Sequence, residues 1–445
     1  MSLNISKIVK EDAILKALVT DLSGGFKEII FPIRQLPELI SPGIAYDGSS
    51  FQGINNINSS DSILVGVKES LVQASEYIAD SEKTEYWIIC NIFDTNGNPH
   101  PNCARCKLIE LQKELAKKWD GGNLFMGSEP ESYFVDPEKK SLLGTTAGGN
   151  SNYFNPKDPK SPIIVEIKSI LDEMNFDIER AHTEVGEDQF ETNWKYDTAE
   201  RTADKIQMYK LITHKVAQKY GFDVTFLPKP HPIRNGSGMH CHLSVANKSK
   251  NLFFDAQNTK QKKFSKECLN FLNGILKNAR AICAVANSTE SSYSRLVPGF
   301  EAPCIVAIGD CNRSAACRIP AISNPKIEKV AKRVEFRFPD PLANPYLLAA
   351  SFIAAGIDGL EKKEKFIGFT DENLYALNLT EITKKGYTLL PRNLWEAYQE
   401  FSKNKVLEKK LGNNIFESYK ELILEEINSC QPFANLESIR RHYLA

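Results

Sequence analysis

The chain has 445 residues, of which 42% are apolar and 25% charged, so it is a globular protein with room for two or three domains. Lys and Arg total 55 against 56 Asp and Glu, and this balance does not favour a nucleic-acid-binding protein. No apolar run is long enough to span a membrane, and charges interrupt the N-terminus where a secretion signal needs an apolar block. The ten cysteines are scattered along the chain. We therefore expect a cytoplasmic enzyme with free thiols.

The first hundred residues predict a small α+β unit. Apolar segments that end at turn formers predict strands over 14–21, 26–31, 61–68 and 86–93. A dense group of turn formers at 94–99 precedes a predicted helix over 104–119. We therefore place a domain boundary here and expect one domain over 1–103 and a second over 104–445.

The second domain mixes long amphipathic helices with strands. Apolar residues that recur every three to four positions predict helices over 163–174, 199–220, 264–286, 345–360 and, with breaks, 394–429. Alternating or continuous apolar segments predict strands over 124–135, 223–227, 239–245, 305–308, 318–319 and 333–338. Because helices and strands do not alternate regularly, we expect a sheet with helices stacked on one side and not a doubly wound fold.

Two glutamates, Glu129 and Glu131, lie two residues apart in the predicted strand 124–135. Side chains at this spacing point to the same face of a strand, and like charges so close repel unless a cation or a proton lies between them. A solvated strand face is the usual explanation of such a pair, but the large apolar residues on both sides indicate a buried strand. The pair is therefore a candidate for metal binding.

Two further groups contain histidines. In the segment HTEVGEDQFE the polar members are His182, Glu184 and Glu191, which alone would form an acidic loop. His240 and His242 share a predicted strand face after a glycine-rich turn, which lets a ligand approach the backbone closely. Core packing and metal ligation explain this second pattern equally well, and no matching Cys/His pair follows that would indicate zinc.

Arginines are concentrated in the C-terminal part of the chain. Glu335 and Arg337 share a strand face, for which an internal ion pair is the default explanation, and Arg295, Arg313 and Arg318 precede them. Arginine binds carboxylates and phosphates in a bidentate manner, so this cluster in a neutral chain indicates an anionic ligand. Oxygen ligands favour Mg²⁺, and a histidine among them allows Mn²⁺. Two such cations beside arginines are typical of phosphoryl transfer, here without a P-loop.

Together these motifs resemble those of type I glutamine synthetases. In chain order they are YDGSSF, GSEPESYF, HTEV…QFE, KPHPIRNGSGMHCH, SRLVPGFEAP, NRSAACRIP and EFRFPDPLANPY. The resemblance runs from about residue 16 to the C-terminus and implies an N-terminal β-grasp domain and a catalytic domain with a curved antiparallel sheet, a half-barrel, backed by helices. It also implies a homododecamer of two hexameric rings, with active sites formed between neighbouring subunits.

The implied reaction is the ATP-dependent ligation of ammonia to the γ-carboxylate of L-glutamate through γ-glutamyl phosphate, with at least two Mg²⁺ or Mn²⁺ ions per site. The implied ligands are Glu131, Glu184 and Glu191 for one metal and Glu129, His240 and Glu335 for the other. The implied glutamate contacts are Asn235, Gly236 and Arg295, and the residues around the transferred phosphoryl group are Arg313, Arg318 and Arg337. The implied nucleotide contacts are His242, Ser244 and Arg333, the flap residue is Glu301, and the ammonium-handling residues, from the adjacent subunit, are Asp47, Ser50 and Asp61.

The sequence departs from the family pattern at several positions. Glu187 and Asp188 replace neutral residues of a metal-site loop; they could strengthen ion binding, but we expect them to face solvent. Tyr375 lies in a segment that resembles a regulatory tyrosine region without its acidic and proline context, so we do not predict its modification. Cys103 and Cys106 resemble a redox or zinc pair, but no second pair accompanies them.

Two other functions remain open. One is a γ-glutamyl ligase for an organic amine or polyamine; Asp47 and Glu301 favour ammonium, because an amine-specific relative would be expected to have a remodelled pocket. The other is a catalytically silent homologue that keeps only the ring assembly. The presence of all six implied metal ligands argues against it, because their mutual repulsion would destabilise an empty site.

Overall fold

Two sheets form the framework of the chain in the computed structural model, which describes residues 3–136, 152–231, 234–298 and 301–443, with side chains as far as residue 430. The strands among these residues are β1 (Ile14–Thr20), β2 (Phe26–Pro32), β3 (Ile44–Asp47), β4 (Asp61–Gly66), β5 (Val72–Gln73), β6 (Glu85–Phe93), β7 (Asn123–Val135), β8 (Ile178–Thr183), β9 (Gln189–Trp194), β10 (Asp197–Thr198), β11 (Asp223–Thr225), β12 (Met239–Ala246), β13 (Ile305–Asp310), β14 (Ala315–Ile319), β15 (Val334–Phe336) and β16 (Thr388–Leu389). The α-helices are α1 (Ile5–Ile8), α2 (Leu36–Ile40), α3 (Ala104–Lys118), α4 (Ser161–Glu173), α5 (Ala199–Lys219), α6 (Lys266–Lys277), α7 (Ala279–Ala286), α8 (Glu290–Arg295), α9 (Glu328–Ala331), α10 (Pro345–Lys362), α11 (Leu379–Lys384), α12 (Leu394–Ser402), α13 (Lys405–Leu411) and α14 (Asn413–Tyr443).

The N-terminal sheet has six strands in the order β2-β1-β6-β4-β3, with β5 also paired to β6. Its two central strands, β1 and β6, are parallel, and the other pairs are antiparallel. This is the expected β-grasp domain. The boundary that we expect between residues 103 and 104 coincides with the N-cap of α3 and stays a prediction.

The second sheet has ten strands and forms the half-barrel, in the order β16-β13-β14-β15-β12-β7-β9-β8, with β10 and β11 paired to β7. It is mixed and not wholly antiparallel as expected, because β13 and β14 are parallel. Only residues 311–314 connect these two strands, and Cys311, which is exposed, has a φ of 50° in the left-handed region. The chain thus turns back sharply and begins β14 beside the start of β13.

Helix α10 is the centre of the helical layer. Most of its side chains are buried, and it packs against α3, α5, α6, α7 and α13. The helix predicted over 264–286 is in fact two helices, α6 and α7, which separate at Asn278. None of the described helices is long and apolar enough to cross a membrane.

A buried ion pair between two helices is also hydrogen-bonded to the N-terminal sheet. The guanidinium of Arg105 in α3 donates to both carboxylate oxygens of Asp204 in α5, at 2.8 and 2.9 Å, and to the side-chain oxygen of Asn91 in β6 at 2.9 Å. The hydroxyl of Tyr346 in α10 donates to the same Asp204 at 2.7 Å. Because removal of one partner from a buried pair leaves an uncompensated charge, this network holds four elements in a fixed arrangement.

Candidate active site

Adjacent strands of the half-barrel bring acidic side chains and a histidine together. Glu129 in β7 lies opposite His240 in β12, and Glu131, two residues later on the same face, lies opposite Glu191 in β9. Glu335 is in β15, the next strand beyond β12. The site is therefore built from residues that are far apart in sequence and meet only through strand pairing.

A cavity of about 440 Å³ lies over these strands. It is lined by all six predicted metal ligands, which are Glu129, Glu131, Glu184, Glu191, His240 and Glu335. It is also lined by the predicted substrate and phosphoryl contacts, which are Asn235, Gly236, Arg295, Glu301, Arg313, Arg318 and Arg337. The structure thus brings the predicted metal, glutamate and phosphoryl residues to one place.

A second cavity, of about 380 Å³, adjoins the first and is lined by His242, Ser244 and Arg333, the predicted nucleotide contacts. The Nε of Arg333 lies 3.4 Å from Nδ1 of His242. Two residues, Glu129 and Arg180, line both cavities. Among the described residues, these two side chains therefore mark the place where the cavities meet.

The predicted ammonium-handling residues lie elsewhere in the chain. Asp47 at the end of β3 pairs in register with Asp61 of β4, and the hydroxyl of Ser50 donates to the Asp47 carboxylate at 3.1 Å. Hydrogen bonds from Ser49 lower the pKa of Asp47, which is fully exposed and so stays ionised. None of the three lines either cavity. A single chain therefore does not bring them to the site.

The segment that we expected as an acidic loop is a β-hairpin formed by β8 and β9. His182 in β8 lies opposite Glu191, with Nε2 of the ring 3.4 Å from a carboxylate oxygen, and its Nδ1 lies 3.5 Å from Glu184. Arg180, two residues earlier, faces the same side of the strand and also lines the cavity. The sequence analysis grouped His182 with Glu184 and Glu191 but did not include it among the implied metal ligands, and it did not single out Arg180; the two-residue spacing of a strand was the signal that could have identified both.

The expectation that Glu187 and Asp188 face solvent is wrong for Asp188. Its side chain is only 3% exposed, forms an ion pair with Lys160, and lies 3.9 Å from Arg234. Glu187 is 43% exposed and accepts a hydrogen bond from Arg234 at 3.0 Å. Neither acid lines the cavity, and their contacts instead attach the hairpin to the segments before α4 and β12.

Part of the site carries excess negative charge. Burial and the neighbouring Glu191 raise the pKa of Glu131 to about 8. Burial and the charges of Glu131 and Glu191 raise the pKa of Glu184 to about 9. Each of these carboxyl groups thus holds a proton at neutral pH, and a divalent cation could take the place of the protons.

The donor atoms also suit divalent cations. Three overlapping groups have potential ligand atoms within 4.8 Å of one another: Glu129–His242–Glu335, Glu129–Glu191–His240 and His182–Glu184–Glu191. Carboxylate oxygens predominate and each group has one histidine, which fits Mg²⁺ or Mn²⁺. The groups include two histidines, His182 and His242, that were not among the predicted ligands, and they omit Glu131.

The opposite wall of the cavity is positively charged. Burial disfavours the ionised form of Glu335, but Arg337 and His240 lower the pKa of its carboxyl to about 2. Arg337 donates to one oxygen of Glu335 at 2.7 Å, and Arg318 contacts the other. For Glu129, burial is likewise outweighed, and contacts with His240 and His242 hold its pKa well below the ordinary value. These carboxylates therefore stay ionised and fix the arginines around the cavity.

The glycine-rich turn before β12 packs directly on Arg295. This arginine is buried and donates to the backbone oxygens of Phe338 and Arg337, at 2.9 and 3.0 Å. A Cβ atom on Gly238 would lie 2.3 Å from its Nη2, and one on Gly236 would lie 2.5 Å from the backbone oxygen of Pro228. Only glycine at these positions lets the turn approach so closely.

Three remaining predictions concern single residues, Glu301, Tyr375 and Cys103. Glu301 is exposed, has a φ of 60°, and its backbone oxygen accepts a hydrogen bond from Arg337 at 3.3 Å. Tyr375 is half-buried and donates to the backbone oxygen of Arg313 at 3.1 Å, and whether it is modified stays untested. Cys103 lies outside both cavities, where its sulfur caps α3 by accepting the N–H of Cys106 at 3.4 Å.

Comparisons with known proteins agree with these observations over nearly the whole chain. The family models "Glutamine synthetase, beta-Grasp domain" and "Glutamine synthetase, catalytic domain" match residues 13–95 and 102–439. A glutamine synthetase of Methanocaldococcus jannaschii is 34% identical over 412 residues, 90% of this chain and 88% of the relative. One of Staphylococcus aureus is 34% identical over 422 residues, 94% of this chain and 92% of the relative. A solved GmaS/ADP complex is 25% identical, with a TM-score of 0.85 and 100% coverage of both chains.

Proposed function

Since the chain belongs to the glutamine synthetase family, we infer that it ligates ammonia to the γ-carboxylate of L-glutamate at the expense of ATP. The observation that supports this most directly is the single cavity that six glutamates, two histidines and five arginines from distant parts of the chain line together. Such a site combines ligands for cations with groups that bind carboxylate and phosphate. None of the described residues that line the cavity favours the organic-amine alternative.

The cavity suits two divalent cations, Mg²⁺ or Mn²⁺. In our proposal Glu131, Glu184 and Glu191 hold one, and Glu129, His240 and Glu335 hold the other, with His182 and His242 close to them. When bound, the cations offset the negative charge of the nucleotide phosphates. The raised pKa values of Glu131 and Glu184 support this proposal, because both side chains otherwise need protons to coexist.

The arginines are suited to the anionic substrates. Arg295, beside Asn235 and Gly236, is suited to the α-carboxylate of glutamate. A γ-carboxylate cannot lose oxide at neutral pH, so the γ-phosphoryl group of ATP is first transferred to it, and the resulting γ-glutamyl phosphate has a phosphate that can leave. The residues that neutralise charge on this group are Arg313, Arg318 and Arg337.

Ammonium needs to lose a proton before it can attack. In our proposal Asp47, with Ser50 and Asp61, comes from a neighbouring subunit and takes that proton, while Glu301 closes the site against water that would hydrolyse the acyl phosphate. That neither aspartate lines a cavity of its own chain supports an inter-subunit site. The proposed assembly is a homododecamer of two hexameric rings.

The second cavity suits the nucleotide. His242, Ser244 and Arg333 line it, and it adjoins the cavity of the proposed cations, as the phosphate chain of ATP requires. The solved GmaS complex with similar architecture contains ADP, which supports a nucleotide site in this fold. A cytoplasmic location is our proposal as well; it is supported by ten free cysteines.

The activity is tested by phosphate release from ATP in the presence of glutamate and Mg²⁺. We expect release to depend on ammonium and to match the glutamine formed. If putrescine or ethylamine supports turnover at far lower concentrations than ammonium, the protein is an organic-amine ligase. If no amine stimulates phosphate release, the ligase assignment is wrong.

The metal site is tested by His240→Ala and Glu335→Ala. Each should lower the rate by about 100-fold or more, because transition-state charge loses a fixed electrostatic partner, while the oligomer remains intact by gel filtration. Lys168→Ala, on the exposed face of α4, is the matched control and should keep the wild-type rate. A wild-type rate in the His240 variant would remove that residue from the metal site.

A further inference from the structure

Arg180 occupies an unusual place in the site. It lies in β8 on the same strand face as His182, and its side chain is 61% exposed. Its Nη2 lies 3.1 Å from an oxygen of Glu129. None of the motifs that point to glutamine synthesis includes this residue.

Among the described residues, Arg180 is the only basic side chain that lines both cavities. The basic residues of the first cavity alone are Arg295, Arg313, Arg318 and Arg337, and those of the second alone are Lys332 and Arg333. A nucleotide whose base and sugar occupy one cavity while its terminal phosphate reaches the other lies alongside Arg180 and Glu129. A positively charged side chain at this junction therefore lies beside the middle of the phosphate chain.

The contact between Arg180 and Glu129 is not needed to satisfy that carboxylate. The same oxygen accepts a hydrogen bond from the Asn193 amide at 3.0 Å and lies 3.1 Å from Nε2 of His242. Ion pairs that involve a largely exposed arginine add little to stability. Arg180 can consequently turn from Glu129 to a ligand without loss of the local fold.

We propose that Arg180 binds the phosphate chain of the nucleotide where the two cavities meet. Its planar guanidinium can hold two phosphate oxygens at once, which a lysine cannot do. The proposal rests on the function inferred above, since it takes a nucleoside di- or triphosphate as the ligand. It adds a nucleotide contact supplied by the hairpin, opposite His242 and Arg333.

The test compares Arg180→Ala with Arg201→Ala in the full-length assembly. Arg201 is a matched control, because it is 58% exposed and lies 3.1 Å from an acidic oxygen of Asp197, but it lines neither cavity. We expect Arg180→Ala to weaken ADP binding about tenfold or more by calorimetry at saturating Mn²⁺, with adenosine binding unchanged. The KM for ATP should rise similarly while the KM for glutamate changes less than about twofold, and Arg180→Lys should recover part of the loss.

The outcomes separate this proposal from its premise. ADP affinity within about twofold of wild type in Arg180→Ala would overturn it. Weaker Mn²⁺ binding by nucleotide-free Arg180→Ala, with its ADP affinity unchanged, would also overturn the proposal, because Arg180 would then act only through Glu129. If the wild-type protein binds ADP in an Arg180-dependent manner but shows no amine-dependent phosphate release, the nucleotide contact stands and the proposed reaction fails.

Discussion

At the scale of single residues, the site is divided by charge into two parts. Burial and the negative charge of Glu191 raise the carboxyl pKa values of Glu131 and Glu184, and the positive charges nearby do not offset this effect. Glu335, in contrast, is ionised between two arginines. Cations are therefore expected to enter on the first side, where each ligand gives up a proton as the metal arrives.

The stability of the metal-free protein should fall as the pH rises from 7 to 9. Glu131 and Glu184 have pKa values of about 8 and about 9 in the folded state, so the folded chain keeps protons that the unfolded chain has lost above its ordinary carboxyl pKa. The expected slope is roughly 1–2 kcal/mol per pH unit, diminishing once both groups ionise. Added Mg²⁺ should stabilise the protein more at pH 9 than at pH 7, as measured by urea unfolding with EDTA or Mg²⁺.

Other groups titrate in this range, so the control is the variant in which Glu131→Gln and Glu184→Gln are combined. It lacks both carboxyls and should show a flatter pH dependence in EDTA. Identical slopes for the wild type and this variant would contradict the electrostatic account.

Asp188→Asn should destabilise the protein far more than Glu187→Gln. Asp188 is buried against Lys160, and its neutralisation leaves that ammonium uncompensated, which costs about 3–5 kcal/mol. Glu187 is largely solvated beside Arg234, so its loss should cost at most about 1 kcal/mol. Urea unfolding of both variants measures the difference; equal values would mean that the buried pair contributes nothing.

At the scale of elements, the hairpin of β8 and β9 explains what sequence patterns can and cannot predict. Strands such as β1 and β6 are apolar segments bounded by turn formers, and their predicted limits agree within a residue or two. In β9 all six residues are buried, although Gln189, Thr192 and Asn193 are polar. The polar residues Gln189, Glu191 and Asn193 line the cavities, while Phe190 and Trp194 pack in the core. With only two apolar residues, the strand was too weak a hydrophobic signal to be predicted.

The site itself was predictable only through the family resemblance. Spacing alone placed Glu129 and Glu131 on one strand face, but not beside Glu184 and Glu191, because that contact depends on the register between β7 and β9. The sequence also did not predict the burial of Asp188, since its partners Lys160 and Arg234 are distant in sequence. The break between α6 and α7 at Asn278 was not predicted either, because one continuous apolar pattern runs through both helices.

Gly236→Ala should weaken glutamate binding selectively. A Cβ at this position would collide with the backbone of Pro228 and with the side chain of Arg295, which we assign to the glutamate carboxylate. The turn would have to shift, so the KM for glutamate should rise about tenfold or more, with a much smaller change for ATP. Steady-state kinetics with each substrate varied separately measures this.

Gly221→Ala is the control for a general loss of stability. Gly221 has a φ of 77° but open space around it, so alanine strains the backbone there without touching the site. Its KM for glutamate should match wild type. A similar rise in both variants would show that the close packing on Arg295 is not the cause.

At the scale of the whole molecule, the exposed Asp47 group does not line the cavity of its own chain, while the hydrogen bond from Arg105 to Asn91 links the second domain to the N-terminal sheet. The N-terminal sheet therefore cannot swing round to complete its own site without breaking buried hydrogen bonds, from Arg105 to Asn91 and from Asn344 to the backbone oxygens of Asp21 and Leu22. A second subunit is the simpler source of the missing carboxylate.

Subunit mixing tests this arrangement. Asp47→Ala and His240→Ala proteins should each be inactive, since one lacks the proposed proton acceptor and the other a proposed metal ligand. If the two variants are co-expressed and assemble at random, about one interface in four combines an intact Asp47 with an intact His240. Activity should then return to roughly one quarter of the wild-type value. The control is co-expression of Asp47→Ala with itself; no recovery in the mixed assembly would place Asp47 in the same subunit as its cavity.

The sharp turn between β13 and β14 offers a practical opportunity. Cys311, the first residue after β13, is exposed, whereas the other nine cysteines are buried or half-buried, so a maleimide dye should react there first. The thiol is two residues from Arg313, which lines the cavity. A fluorophore attached to the natural chain would thus sit at the rim of each catalytic centre and report ligand arrival in real time, without an engineered label.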